Sequence, residues 1–358
     1  MKMNKPSWLS NMTHGVFWSA IALCISAWSP VAISHENHQH EKPHSEKAPD
    51  QYSESGLEQL LDKVMALQYL TSSETDISGL RKAVEEYTPE TDKDAVRRQY
   101  GLARVQQHQH DFKAASQTLE DALNQAPRDA GLLLLKASVL NNLGRYSAAT
   151  EACKKLLGLT NAAVVTACVV DTRAQQDPEG IQTYYGDLLQ MVERTQGQNS
   201  THQIWISQIL AELALSMGQP VKAQQHIQNL TLSAAPLSAI ALWADIQFAQ
   251  DNDQQVLNSL VTLTEDHVFI DDALLLRLAM AEKFTDSGSQ WLKAMQQRIA
   301  QRTAAHNYAH AAELAKFYLY VEPNPEKANY WAEVNYRHAK SQMDADLLAA
   351  AKTLAADK

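Results

Sequence analysis

Four histidines, His35, His38, His40 and His44, fall within ten residues of one another. Imidazoles at that spacing, joined by a free α-amine if the mature chain begins at His35, can wrap Cu, Ni or Zn. A polar linker that happens to be histidine-rich accounts for the same residues, and ordering flexible ligands around an ion costs free energy. A second candidate set is His306, His310 and Glu313, which share one face if that stretch is helical, although exposed polar faces produce such spacing often. Arg97 and Arg104 stand seven apart with Tyr100 between them. Arginine forks onto carboxylates, so one helical face carrying this trio suits an acidic or carboxylate-bearing peptide; an ordinary solvated face is the alternative. Cys153 and Cys168 could close a disulfide worth about 3 kcal/mol in an oxidising compartment, or be two small buried hydrophobes on neighbouring helices. The sequence contains no CxxC, HExxH, GxSxG, P-loop or strand-linked GxGxxG motif, so it reads as a non-enzyme.

The elements that must position these residues declare themselves through a repeat. "HDFKAASQTLEDALNQAP", from His110, is answered thirty-four residues later by "GRYSAATEACKKLLGLTN", from Gly144. Phe112 maps to Tyr146, Ala115 to Ala149, Leu119 to Cys153 and Leu123 to Leu157. Residues 96–129 and 130–163 align without a gap, each reading as two antiparallel helices. Small residues stand where the helices cross closely, and large ones fill the space to the next pair. This pattern resembles the tetratricopeptide repeat (TPR). Looser units fit 204–236 and 237–269, through Leu210-Ala211, Gly218, Ala223, Ile227 and Leu230 in the first and Trp243-Ala244, Val256, Leu260 and Leu263 in the second. Residues 164–200, 271–302 and 308–340 read as degenerate helical pairs.

The resemblance implies an all-α fold, an α-solenoid of stacked antiparallel helix pairs in a TPR-like right-handed superhelix. It also implies a partner-binding groove on the concave face, lined by the first helix of each pair. Carried over position by position, that groove comprises Arg97, Tyr100, Arg104, His108, Asn141, Asn142, Glu212 and Asp245, with Gln107, Leu134, Leu135, Ser138 and Gln208 beside them. The family's carboxylate clamp for chaperone C-termini would want Lys at Tyr100 and Asn at Arg104 and Leu135; none is present, so that function is rejected. The aromatic-rich stretch "KFYLYVEPNPEKANYWAEVNYRHA" reads as structural, a seal for the terminal repeats.

Composition supplies the remaining limits. The chain has 358 residues, is 45% hydrophobic and contains only 12 Gly, which favours helices. Its formal charge of −10 argues against nucleic acid as a partner. Residues 1–34 read as a signal peptide: Lys2 and Lys5, then an apolar run from Val16 to Trp28, Pro30, and small residues at Ala32 and Ser34. That run is too short for a spanning helix of roughly 20 residues. The expected organisation is therefore a signal peptide at 1–34, a His-rich flexible leader at 35–56, an N-terminal helical pair at 57–95 and repeats at 96–358. The expected function is that of an exported, periplasmic scaffold or adaptor without cofactor or catalysis, binding a protein or peptide on its concave face. Its alternative is a metal-binding accessory protein that works through the leader.

Overall fold

The computed structural model of the chain describes residues 56–69, 76–195 and 202–356. The segment expected to be a signal peptide and the histidines His35 to His44 lie outside these residues. Among the described residues there are seventeen α-helices and no β-strand. Helix α1 (Leu57–Ala66), extended by a 3-10 turn at Leu67–Tyr69, and α2 (Ile77–Glu86) form the N-terminal pair. Six further pairs follow: α3 (Asp92–His108) with α4 (Phe112–Gln125), α5 (Ala130–Asn142) with α6 (Tyr146–Lys154), α7 (Ala162–Gln176) with α8 (Ile181–Arg194), α9 (Gln203–Ser216) with α10 (Pro220–His226), α11 (Leu237–Ala249) with α12 (Asp253–Thr264), and α13 (Asp272–Thr285) with α14 (Gln290–Ala304). Helix α15 (Ala311–Lys316) runs into a π-helical turn at Phe317–Val321, and α16 (Pro325–His338) and α17 (Gln342–Ala356) complete the chain. Consecutive helices pack on one another from α1 to α14 and again from α15 to α17, and α3·α5, α5·α7, α7·α9, α9·α11 and α11·α13 also touch. The result is a stack of helical hairpins.

The repeat has a backbone signature as well as a side-chain one. In five of the pairs the turn between the two helices carries a residue with left-handed φ: His110 at 60°, Gly144 at 67°, Gly218 at 69°, Asp251 at 62° and Asp286 at 51°. A left-handed residue just past a helix end lets the last carbonyls find donors, as when Asp111 N–H donates to Gln106 O and Arg145 N–H to Leu140 O, both at 2.8 Å. Side chains then start the next helix: Asp111 accepts from Ala114 N–H, Asp129 from Leu132 N–H and Asn161 from Val164 N–H. The crossing residues are fully packed, with Ala103, Ala115, Ala149, Ala211, Ala223 and Ala244 all at 0% exposure. One member of the echo differs. Leu123 is half-buried on α4, whereas Leu157 is 68% exposed. Helix α6 stops at Lys154, so Leu157 falls in the turn beyond it and not on a helix.

The stack closes on itself. Lys340 N–H donates to Asn142 O at 2.7 Å, and Tyr146 OH donates to Lys340 O at 3.3 Å. Gly144 is bound to this seam: a Cβ there would stand 2.8 Å from Lys340 O. Helix α17 packs on α7, the turn at Leu67–Tyr69 packs on α11, and Met343 joins the core built by Leu133, Val164 and Trp205. The aromatic stretch expected to seal the terminus does so, with Phe317, Tyr318, Tyr320 and Trp331 all buried.

Candidate functional site

The inner face is built from the residue after each crossing alanine. Arg104 follows Ala103, Ser138 follows Ala137, Glu212 follows Ala211 and Asp245 follows Ala244. Where alanine meets the partner helix, the next position lies about 100° round the helix and points inward. Successive units are tied by polar bonds along this face. Gln107 Nε2 donates to Ser138 Oγ at 3.0 Å, Asn141 Nδ2 to Asp171 Oδ2 at 3.1 Å and Gln208 Nε2 to Ser238 Oγ at 3.1 Å. Arg277 forks onto Asp245 at 2.9 and 2.5 Å. This ladder is buried: Glu212 and Gln208 are at 0%, Asn141 and Asp245 at 3%.

Burial sets the charge states along the ladder. Desolvation raises the Asp171 carboxyl to about 6, against hydrogen bonds from Gln175 and Asn141 that lower it. Glu212 is pushed well above the ordinary carboxylate range, first by desolvation and then by Asp171 and Asp245. Neither Glu212 oxygen has a hydrogen-bond partner, nor do Asn141 Oδ1 and Gln208 Oε1. Glu212 is thus held as a neutral carboxylic acid among acceptors.

Beside the ladder lies a cavity of about 190 Å³, bounded by the Leu67–Tyr69 turn, α3, α11, α13, α15 and α17. Its walls are largely apolar, with Val64, Leu67, Phe112, Leu237 and Met343 among them. Charged groups enter from three directions: Arg104 from α3, Asp271 and Arg277 from the start of α13, and Glu313, Lys316 and Asp344 from the C-terminal helices. His108, His110 and His310 also line it, and the His110 and His310 rings lie 5.4 Å apart. Desolvation, then His310 and Arg104, lowers His108 to about 4; desolvation, then His310 and His108, lowers His110 to about 3. Both imidazoles are neutral at physiological pH.

The residues expected in the groove separate into three places. Arg104, His108 and Asn142 meet at the cavity. Asn141, Glu212 and Asp245 belong to the ladder. Arg97 faces away from both and forks onto Glu58 at 2.6 and 2.5 Å. Tyr100 is half-buried beside Arg104, and burial raises its phenol. Those inner-face residues are buried, and the chain's own α15–α17 share the cavity lining with Arg104, His108 and Asn142. His306, His310 and Glu313 do not share a helical face either. His306 sits in the turn after α14 with φ 49° and bonds Tyr308, while α15 begins only at Ala311. Of the two readings of the cysteines, the structure has the disulfide, with the Cα atoms 5.6 Å apart.

Sequence reasoning missed Arg277 and Lys316, and grouped Glu313 with His306 rather than with the cavity lining. Arg277 carried a signal, since it stands 32 residues after Asp245, close to the repeat length. Lys316 carried none, because the C-terminal helices obey no repeat. Among the described residues no group of three or more His, Cys, Asp or Glu is placed to hold a metal ion, and no helix is long and apolar enough to cross a membrane. No protein-family model matches the chain, and no curated protein matches it in sequence.

Proposed function

We propose that the protein is an exported, periplasmic, non-catalytic binding protein of the tetratricopeptide type, and that it holds a compact ligand in the cavity between its inner face and α15–α17. The observation that carries this reading is the burial of the inner face. Arg104, Asn141, Asn142, Glu212 and Asp245 are all buried, so an extended peptide has no open concave surface to lie on, whereas the cavity remains as space beside them. The thirty-four-residue echo supports the repeat type, and the residues before His35 support export. Edman sequencing of the chain from the periplasmic fraction should begin at His35.

The adaptor reading, with a protein or peptide partner on the concave face, keeps one observation in its favour. The inner face is polar, as a recognition surface would be, and the helices that share its cavity include a contiguous C-terminal segment that a partner could displace. Native mass spectrometry of the chain isolated from the envelope distinguishes the two. A retained small-molecule mass supports the cavity reading. A co-isolated polypeptide, with faster amide exchange in α15–α17 in its presence, would replace it with the adaptor.

A further inference from the structure

Glu313 and Lys316 stand three residues apart on α15 and both line the cavity. Glu313 Oε2 is buried and accepts no hydrogen bond; His310 Nδ1 is 3.9 Å away. The hydrogen bond that Lys316 Nζ makes is a weak one to Met343 Sδ at 4.0 Å. The other charged groups of the cavity are engaged. Arg277 is held by Asp245, Ala241 O and Ala273 O; Asp344 accepts from Asn335 and from Ser341 N–H and Oγ; Asp271 caps Ala273 N–H; Arg104 donates to Gln68 Oε1. Lys316 acts on Asp344 through its charge but makes no close ion pair, and Glu313 Oε2 accepts no hydrogen bond, so one ammonium and one carboxylate oxygen on the same wall lack close partners of opposite charge.

Their placement narrows the chemistry that would satisfy both. Side chains three apart on a helix start about 5–6 Å from each other, so they can grip two opposite charges carried on adjacent atoms of one molecule. The same cavity is lined by the apolar side chains of Leu67, Phe112, Leu237 and Met343, the last of them beside Lys316. Benzene fills an apolar cavity of about 150 Å³, so about 190 Å³ takes something modestly larger. The neutral His108 and His110 add no competing charge. We propose that the cavity binds a small zwitterion with an apolar body, of the size and charge of a free hydrophobic α-amino acid. Its carboxylate meets Lys316, its ammonium meets Glu313, and its side chain lies against the apolar wall. This inference rests on the reading of the cavity as a ligand site.

Calorimetry on the mature chain, unfolded and refolded to remove any retained ligand, tests it with four probes: L-leucine, L-phenylalanine, hydrocinnamate, which lacks the amine, and phenethylamine, which lacks the carboxylate. At least one amino acid should bind saturably, and the two single-charge probes should bind at least about tenfold more weakly, because each forgoes one charge-assisted hydrogen bond. Lys316→Met and Glu313→Gln should each weaken amino-acid binding by a similar factor while leaving the thermal midpoint close to that of the parent. Hydrocinnamate binding as tightly as phenylalanine, with Glu313→Gln unaffected, would overturn the zwitterion and leave the cavity reading standing. The same holds if no probe binds yet native mass spectrometry finds a different retained mass. No probe bound and no mass retained would overturn both.

Discussion

Two forked arginine–carboxylate pairs sit in opposite surroundings. At the N-terminal edge, Arg97 spans from α3 to α1 and holds Glu58, whose side chain is 65% exposed. Inside, Arg277 spans from α13 to α11 and holds Asp245, and both side chains are at 6% or below. Geometry hardly differs between them, but the dielectric does. Water competes for the Glu58 carboxylate at the edge, so that pair ties two helices at little net gain. In the interior neither charge can return to water without unfolding, so each has become a condition for the other. The same contrast separates the outer faces of the repeat from the inner ladder, where Gln107, Asn141, Gln208 and Asp245 are each held by a residue of the next unit.

Breaking the interior pair gives the largest expected effect. Arg277→Met should cost about 3–5 kcal/mol by leaving Asp245 buried and uncompensated. Urea unfolding followed by circular dichroism checks this, and adding Asp245→Leu should restore most of the loss. A single-variant cost under about 1 kcal/mol would show that the interior is wet and the contrast is false.

A smaller, pH-dependent effect sharpens the account of the ladder. Glu212 has its pKa raised on folding, so the folded state keeps a proton that the unfolded state releases. Its contribution is fully present below the ordinary pKa of 4.5 and is lost as pH rises towards the folded value. Glu212→Gln cannot ionise. Its urea midpoint should match that of the parent near pH 4 and exceed it at pH 8. Midpoints that keep the same difference at both pH values would mean that Glu212 is solvated. Acid acts oppositely on His108 and His110, whose pKa values are lowered on folding. Below 6.5 the unfolded chain takes up protons that these two refuse until about 4 and 3, so they destabilise the fold as pH falls through that window.

The smallest effect belongs to the edge. Glu58→Gln should change stability by under about 1 kcal/mol, and less still in high salt. A loss comparable to that of Arg277→Met would erase the distinction between the two pairs.

Much of the fold could be read in the sequence because the repeat constrains side-chain volume locally. Alanines at 103, 115, 149, 211, 223 and 244 mark where two helices cross, and a crossing needs only the two helices and the turn between them. Of the positions expected on the inner face, Arg104, Glu212 and Asp245 each follow a crossing alanine and are buried. What that face meets was not legible. Arg97 shows the limit from the other side: it lies seven residues before Arg104, yet its guanidinium turns to Glu58 on a helix outside the repeat register. His306 shows another, because helical spacing across 306–313 says nothing of the left-handed turn that breaks it.

The sequence alone determined the helical class and the hairpin period, because these depend on packing between residues within one repeat length. Closure was decided only in three dimensions. Lys340 meets Asn142 across almost two hundred residues, and Lys316 reaches the same cavity as Arg104 without sharing any repeat position with it. Such contacts follow from the accumulated curvature of the whole stack, which no short stretch of sequence encodes. They turn a polar face that would have met solvent into a buried ladder beside a cavity.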